Sequence, residues 1–179
     1  MILKLPKLET ERLVLRPFTL EDATLVQKYA GDKRIYQTTS NIPHPYENGM
    51  AEWWISTHAT TFFEKKGVVL AITLKENGEL IGAIGLHADT ENKRAELGYW
   101  IAPEYWGKGF CTESAGVLIK YGFEVLEYHR IYACYFKENK ASGRVMEKIG
   151  MKKEGELVDH IYKDGKFHTA VYYGIINPA

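Results

Sequence analysis

The sequence predicts a mixed α/β fold: a mostly antiparallel central sheet of about six or seven strands, flanked on both faces by about four helices. Three observations predict it. Short runs rich in Val, Ile and Leu alternate with longer stretches of helical length. Two turn signals, Asn77-Gly78 and Asp164-Gly165, each separate a pair of strand-like runs. The order of elements is mixed, with helices and hairpins interleaved, which suits an antiparallel-rich sheet covered on two sides.

In chain order, residues 12–16 alternate and form a strand stopped by Pro17. Thr19-Leu20-Glu21-Asp22 matches a capping box that opens a helix, and Gly31 closes it. The Pro-dense stretch Ile42-Pro43-His44-Pro45 reads as a surface loop between two helices. A second helix runs over about 47–65 and carries Trp53, Trp54, Phe62 and Phe63. Residues 68–74 and 80–87 are strands joined through Asn77-Gly78. Residues 94–101 form the next strand, ended by Pro103. A helix over 109–126, a strand over 130–136 and a helix over 140–149 follow, the last stopped by Gly150. Strands 156–162 and 167–176 complete the chain around Asp164-Gly165.

The bulk properties bound the function. At 179 residues the chain suits a single domain over 1–179, with roughly 150 residues per domain as the usual scale. Hydrophobic residues are 45% and charged residues 26%, which excludes a disordered tail, a collagen-like repeat and a disulfide scaffold. Lys+Arg and Asp+Glu are both 23, so no global basic field gathers nucleic acid. The apolar runs are strand-sized, short of the roughly 20 residues that span a bilayer. Cys111 and Cys134 are expected to be reduced thiols in a cytoplasmic protein. The six histidines show no metal-ligand spacing, so no metal site is expected.

The most informative stretch is 96–113. A strand ends, and the glycine-punctuated turn Tyr105-Trp106-Gly107-Lys108-Gly109-Phe110-Cys111-Thr112 opens a helix. The first N–H groups of a helix have no intrahelical partner and carry the positive end of its dipole. Gly107 and Gly109 let an anion approach the backbone, and Lys108 adds a positive charge. A phosphate or pyrophosphate is the natural guest, although a tight strand-to-helix connection explains the same residues. The turn is neither a P-loop nor a dinucleotide fingerprint.

This turn resembles the acetyl-CoA pyrophosphate loop of the GNAT superfamily of N-acetyltransferases, Gln/Arg-x-x-Gly-x-Gly/Ala. Asn139-Lys140-Ala141-Ser142 with Glu147-Lys148-Ile149-Gly150-Met151 resembles that superfamily's second signature. The segments 9–16 (Glu-Thr-Glu-Arg-Leu-Val-Leu-Arg), 95–101 (Ala-Glu-Leu-Gly-Tyr-Trp-Ile), His129-Arg130-Ile131 and Asp164-Gly165-Lys166 resemble the bacterial branch that acetylates ribosomal-protein N-termini. Trp106 and Cys111 depart from the loop pattern, without threat to binding by main-chain groups. His168-Thr169 replaces a common His-Asp and weakens any carry-over of an acceptor role to Thr169.

The resemblance implies a GNAT-like fold and acetyl-CoA as cosubstrate. The pantetheine arm would run along Trp100 and Ile101, with the pyrophosphate on Trp106, Gly107, Lys108, Gly109, Phe110, Cys111 and Thr112. Reaction would be direct attack of a neutral amine on the thioester, without a covalent enzyme intermediate. Glu96 is the candidate base, on the same strand face as Gly98 and Trp100; an outward, solvated glutamate is the alternative. The resemblance puts Asn139 on the pantetheine arm and Ser142 near the sulfur, as a donor to the leaving thiolate; either could instead cap a helix. Arg144 and Lys148 read better as solvated helix charges than as phosphate contacts. Cys111 is not expected to be a nucleophile. Trp53, Trp54, Phe62 and Phe63 suit packing better than an acceptor groove. The expected acceptor is a peptide or protein N-terminal α-amino group. Alternatives are a small amine such as a polyamine, amino acid or aminoglycoside, or a catalytically silent acyl-CoA-binding module. Direct nucleic-acid and membrane partners are not expected. Exposed edges of such sheets often pair, so a homodimer is compatible with the sequence but not fixed by it.

Overall fold

A computed structural model describes residues 4–178. Eight strands form one sheet: β1 (Leu8–Glu9), β2 (Leu13–Arg16), β3 (Gly67–Leu74), β4 (Leu80–Asp89), β5 (Arg94–Ile101), β6 (Arg130–Phe136), β7 (Lys152–Lys163) and β8 (Lys166–Ile176). Their order across the sheet is β1-β2-β3-β4-β5-β6-β8-β7. Every neighbouring pair is antiparallel except β5 with β6. The helices are α1 (Ala23–Ala30), α2 (Lys33–Thr38), α3 (Met50–Phe63), α4 (Phe110–Glu124) and α5 (Lys140–Lys148).

Two elements exceed the sequence reading. The two-residue strand β1 extends the sheet edge beyond β2. Helix α2 follows α1 almost at once, because Asp32 restarts the chain as an N-cap: its Oδ1 accepts from the Arg34 N–H at 2.8 Å. Ile35, 2% exposed, anchors α2 to the core. Helix α1 begins as a 3-10 turn over Leu20–Asp22. There the Thr19 N–H donates to Asp22 Oδ2 at 2.8 Å, and Arg16 grips both Asp22 oxygens at 2.7 and 2.8 Å. Burial pushes the Asp22 carboxyl up, but Arg16 and the Thr19 N–H outweigh it and hold the group below the ordinary aspartate range.

The sheet divides the core into two layers. On one face α4 (Ala115, Leu118, Ile119) and α5 (Met146) cover Leu13, Leu15, Leu70, Ile72, Leu86, Leu97 and Ile131. On the other, α1, α2 and α3 cover Ala71, Leu80, Ala83 and Trp100. Strand β3 is buried along its whole length, which accounts for its unbroken apolar sequence. Of the aromatics on α3, Phe62 is buried and Trp54 packs on Phe18 and His58, while Trp53 and Phe63 are exposed. No helix among the described residues is long and apolar enough to cross a membrane.

His58 is 5% exposed, and neither ring nitrogen has a hydrogen-bond partner. Burial lowers its pKa to about 4. The folded state therefore resists the proton that the unfolded chain accepts near 6.5, so the protein loses stability as pH falls from about 6.5 towards 4. The two values imply a loss of ~3 kcal/mol. His58→Phe keeps an aromatic ring without the titration. Urea melts at pH 7 and pH 4.5 should show a smaller acid loss in this variant than in the parent. Gly116 is an exposed mid-helix glycine of α4 with nothing within 4 Å of an added Cβ. Gly116→Ala should add about 0.5–1 kcal/mol and raise Tm by a few degrees in a thermal scan.

Candidate active site

The parallel pair β5–β6 holds together through only Arg94↔Arg130, Ala95↔Ile131 and Glu96↔Tyr132. Beyond these the strands part. The cleft between them has a volume of about 630 Å³, with Leu97 to Ile101 on one wall and Cys134 to Phe136 on the other. Strand alternation gives the cleft two chemically different sides. Tyr99 and Ile101 point towards α4 and α5, whereas Glu96, Gly98 and Trp100 share the face of α1 to α3.

The α4 side contains the glycine turn. Gly107 and Gly109 have φ of +76° and +81°, and Gly109 is the N-cap of α4 with no side chain to fill it. The first intrahelical bond runs from the Glu113 N–H to Gly109 O at 3.0 Å. The N–H groups of Phe110, Cys111 and Thr112 therefore stand at the open helix start. A Cβ built on Gly107 meets nothing within 4 Å. Trp106, Gly107, Gly109, Phe110, Cys111 and Thr112 all line the cleft, with Arg144 and Lys148 of α5. Outward N–H groups on a bare turn, with two cations on the lining, fit a pyrophosphate. Lys108 lies off the lining, its ammonium 5.0 Å from the centroid of the Tyr105 ring. The Trp106 indole N–H donates to Ile101 O at 2.6 Å, so this side chain also fixes the end of β5.

Asn139 is the N-cap of α5, its Oδ1 accepting from the Ser142 N–H at 3.3 Å. The cap engages that oxygen and not the amide NH2, and Asn139 lines the cleft. Ser142 Oγ is 2.7 Å from the Tyr99 hydroxyl. Burial pushes the Tyr99 hydroxyl far above the ordinary tyrosine range, so it stays protonated and the pair is a chain of donors on the cleft wall. Burial likewise raises the Cys111 thiol, and raises Cys134 to about 11 with help from the charge on Glu96. Neither cysteine is a thiolate nucleophile at neutral pH, and both are free.

On the opposite side, His87, Glu96 and Tyr132 form one row across β4, β5 and β6. Glu96 is half-buried and accepts from Cys134 Sγ at 3.7 Å. A Cβ on Gly98 would lie 3.9 Å from His87 Nε2, so the imidazole overhangs the open space beside Glu96. Ile35 and Thr38 to Asn41 close this end, with Ile161 from β7. The β7–β8 hairpin tip holds that roof: Lys163 Nζ donates to the carbonyls of Tyr36 and Thr39, and the Tyr36 hydroxyl donates to Asp164.

The structure thus gathers Glu96, Trp100, Ile101, Asn139, Ser142 and the glycine turn around one cleft. The α3 aromatics stay out of it. His87 and Tyr99 also line the cleft, and the sequence alone did not single them out. Antiparallel pairing of the strands over 80–87 and 94–101 was the available signal for His87, because it sets His87 opposite Glu96. Among the described residues no group of three His, Cys, Asp or Glu side chains could hold a metal ion.

Comparison with known proteins places this geometry in context. A family model described as an acetyltransferase (GNAT) domain matches residues 12–152. A putative ribosomal N-acetyltransferase, YdaF, of Bacillus subtilis (strain 168) is 44% identical over 101 residues, covering 56% of this chain and 55% of that protein. The spermidine N(1)-acetyltransferase of Escherichia coli (strain K12) is 34% identical over 158 residues, covering 88% and 82%. A crystal structure of a GNAT-family acetyltransferase from Bacillus anthracis superposes with a TM-score of 0.86 at 28% identity, covering 97% of this chain and all of the other.

Gly109→Ala forces a Cβ into left-handed backbone at about 1 kcal/mol or more. The variant is expected to raise the Kd of a pyrophosphate-bearing ligand roughly fivefold or more in a fluorescence titration. An unchanged Kd would remove this turn from the site.

Proposed function

The chain belongs to the GNAT acetyltransferase family and is an acetyl-CoA-dependent N-acetyltransferase, and on that premise we propose that its acceptor is the free α-amino group of a peptide or protein. One observation carries the choice. Glu96 is the single carboxylate among the described residues that line the cleft, and the roof over it is neutral, from Ile35 and Thr38 to Asn41. Such an end suits one amine followed by a neutral chain. A polyamine brings further ammonium groups, each of which would need a partner there.

The proton balance supports the same reading. An α-amino group has a pKa near 7.7–8.0, against about 10.4 for a lysine-type amine. Presenting the neutral amine at pH 7 therefore costs about 3–4 kcal/mol less for the α-amino group. A modest base suffices, and Glu96 takes the proton directly or through a water. Acetyl-CoA supplies the activated thioester. The Phe110–Thr112 N–H groups hold its pyrophosphate, and the edge of β5 left unpaired with β6 beyond Glu96, by Trp100 and Ile101, aligns its pantetheine arm. The Tyr99–Ser142 donor chain faces the sulfur, so that the thiolate leaves towards a hydrogen bond from Ser142.

A second reading, a small-amine acceptor, draws on the likeness to the spermidine acetyltransferase. Release of CoA from acetyl-CoA decides between them. Peptides with free Ala, Ser, Met or Leu termini, their blocked-terminus controls, and polyamines, amino acids and aminoglycosides are compared at equal concentration. Turnover is expected with free-terminus peptides alone; turnover confined to small amines overturns the proposal. In the same assay Glu96→Gln should retain acetyl-CoA affinity within about threefold and lose roughly 10²-fold or more in kcat. A variant with parental kcat would exclude Glu96 as the base.

A further inference from the structure

The segment 9–16 resembles a family signature, and the cleft leaves it without a task. Its turn lies against the first turn of α4. Thr10 Oγ1 donates to Glu113 Oε1 at 2.6 Å, and the Arg12 backbone N–H donates to the same oxygen at 2.9 Å. Arg12 Nε and Nη2 both reach Glu113 Oε2 at 2.7 Å. Arg12 Nη1 donates to Lys108 O at 3.1 Å, in the middle of the glycine turn. The guanidinium lies 4.6 Å from the centroid of the Phe110 ring, and a Cβ on Gly109 would sit 3.5 Å from Nη2. One side chain thus reaches Lys108, Phe110 and Glu113, beside Gly109, from the turn before β2, about a hundred residues away in sequence.

This placement addresses two difficulties of the turn. Gly107 and Gly109 make a bare cradle, but glycines also leave its backbone with the most freedom to lose on ligand binding. The bond from Arg12 to Lys108 O fixes the peptide between them. In addition, Glu113 places a carboxylate in the first turn of α4, where an incoming pyrophosphate would meet like charge. Thr10 and Arg12 engage both of its oxygens and neutralise it. An ion pair with Arg12 this exposed adds little to overall stability, so its contribution falls on local order and local charge.

We propose that Arg12 is a positioning residue for the acetyl donor: it holds the Gly107–Gly109 turn and neutralises Glu113, so that the α4 N–H groups are set for the pyrophosphate. This rests on the reading of that turn as the pyrophosphate cradle. The test uses two donors, acetyl-CoA and S-acetylpantetheine, which lacks the pyrophosphate and nucleotide. Each is titrated against the full chain by fluorescence of Trp100 and Trp106, which line the cleft. Arg12→Met should weaken acetyl-CoA about tenfold or more and leave S-acetylpantetheine within twofold. Arg12→Lys, which keeps the charge but not the fork, should fall between, and it serves if Arg12→Met does not fold. Adding Glu113→Gln to Arg12→Met should recover part of the loss by removing the exposed carboxylate. Equal loss for both donors, or acetyl-CoA affinity within twofold of the parent, overturns the proposal. A parent that binds both donors equally overturns the cradle itself.

Discussion

Everything in this molecule depends on three residue pairs and on what happens after the third. Parallel strands β5 and β6 are joined at Arg94↔Arg130, Ala95↔Ile131 and Glu96↔Tyr132, then part. A sheet that zipped fully would bury its last unpaired backbone groups but leave no room inside. Here the sheet is kept continuous at one end by ordinary pairing and at its flanks by β4 and β8, each in long antiparallel register with β5 or β6. The opening is therefore supported on both sides. It costs a few sheet hydrogen bonds and gains a passage lined from both faces of the sheet.

That passage joins two environments which the sheet otherwise keeps apart. Donors cluster towards α4 and α5: helix N–H groups, the Tyr99–Ser142 pair and the Asn139 amide. The other side carries the carboxylate of Glu96, the proposed base, with His87 beside it on the neighbouring strand. Amide formation from a thioester needs opposite services at its two ends, a proton removed from nitrogen and a hydrogen bond given to sulfur. Strand alternation along β5 separates them, since Glu96 and Tyr99 fall on opposite faces only three residues apart.

The sequence made the repetitive parts plain. Strands β5 and β6 lie over the same residues as expected, because alternation and the flanking Pro103 leave little freedom. The Asp164-Gly165 turn likewise has both residues at positive φ. Helix α2 was hidden because Gly31 ends α1 as expected, as its C-cap with a φ of −73°, and Asp32 starts a new helix directly beyond it. Strand β7 is longer than the expected 156–162 because its first residues, Lys152, Lys153 and Glu154, look like a polar loop. Charged residues are what an edge strand carries. Local pattern singled out Glu96, Asn139, Ser142 and the glycine turn, and the fold brings all of them to one cleft. The Tyr99–Ser142 contact and the Arg12–Glu113 clamp link residues 43 and 101 positions apart, and no local period encodes such distances.

The tether between the β7–β8 hairpin tip and α2 has an evolutionary consequence. Lys163 and Asp164 hold Tyr36 and Thr39, and these contacts belong to segments that share no residue with the glycine turn or its clamp. One end of the passage is thus owned by the helices after β2 and by the last hairpin, the other by α4 and the start of α5. On the proposed reading, drift in the hairpin would reshape which amine is admitted while the donor end stays constant. A lineage built this way diversifies by exchanging one half of its machinery, and relatives that share a donor come to serve unrelated acceptors.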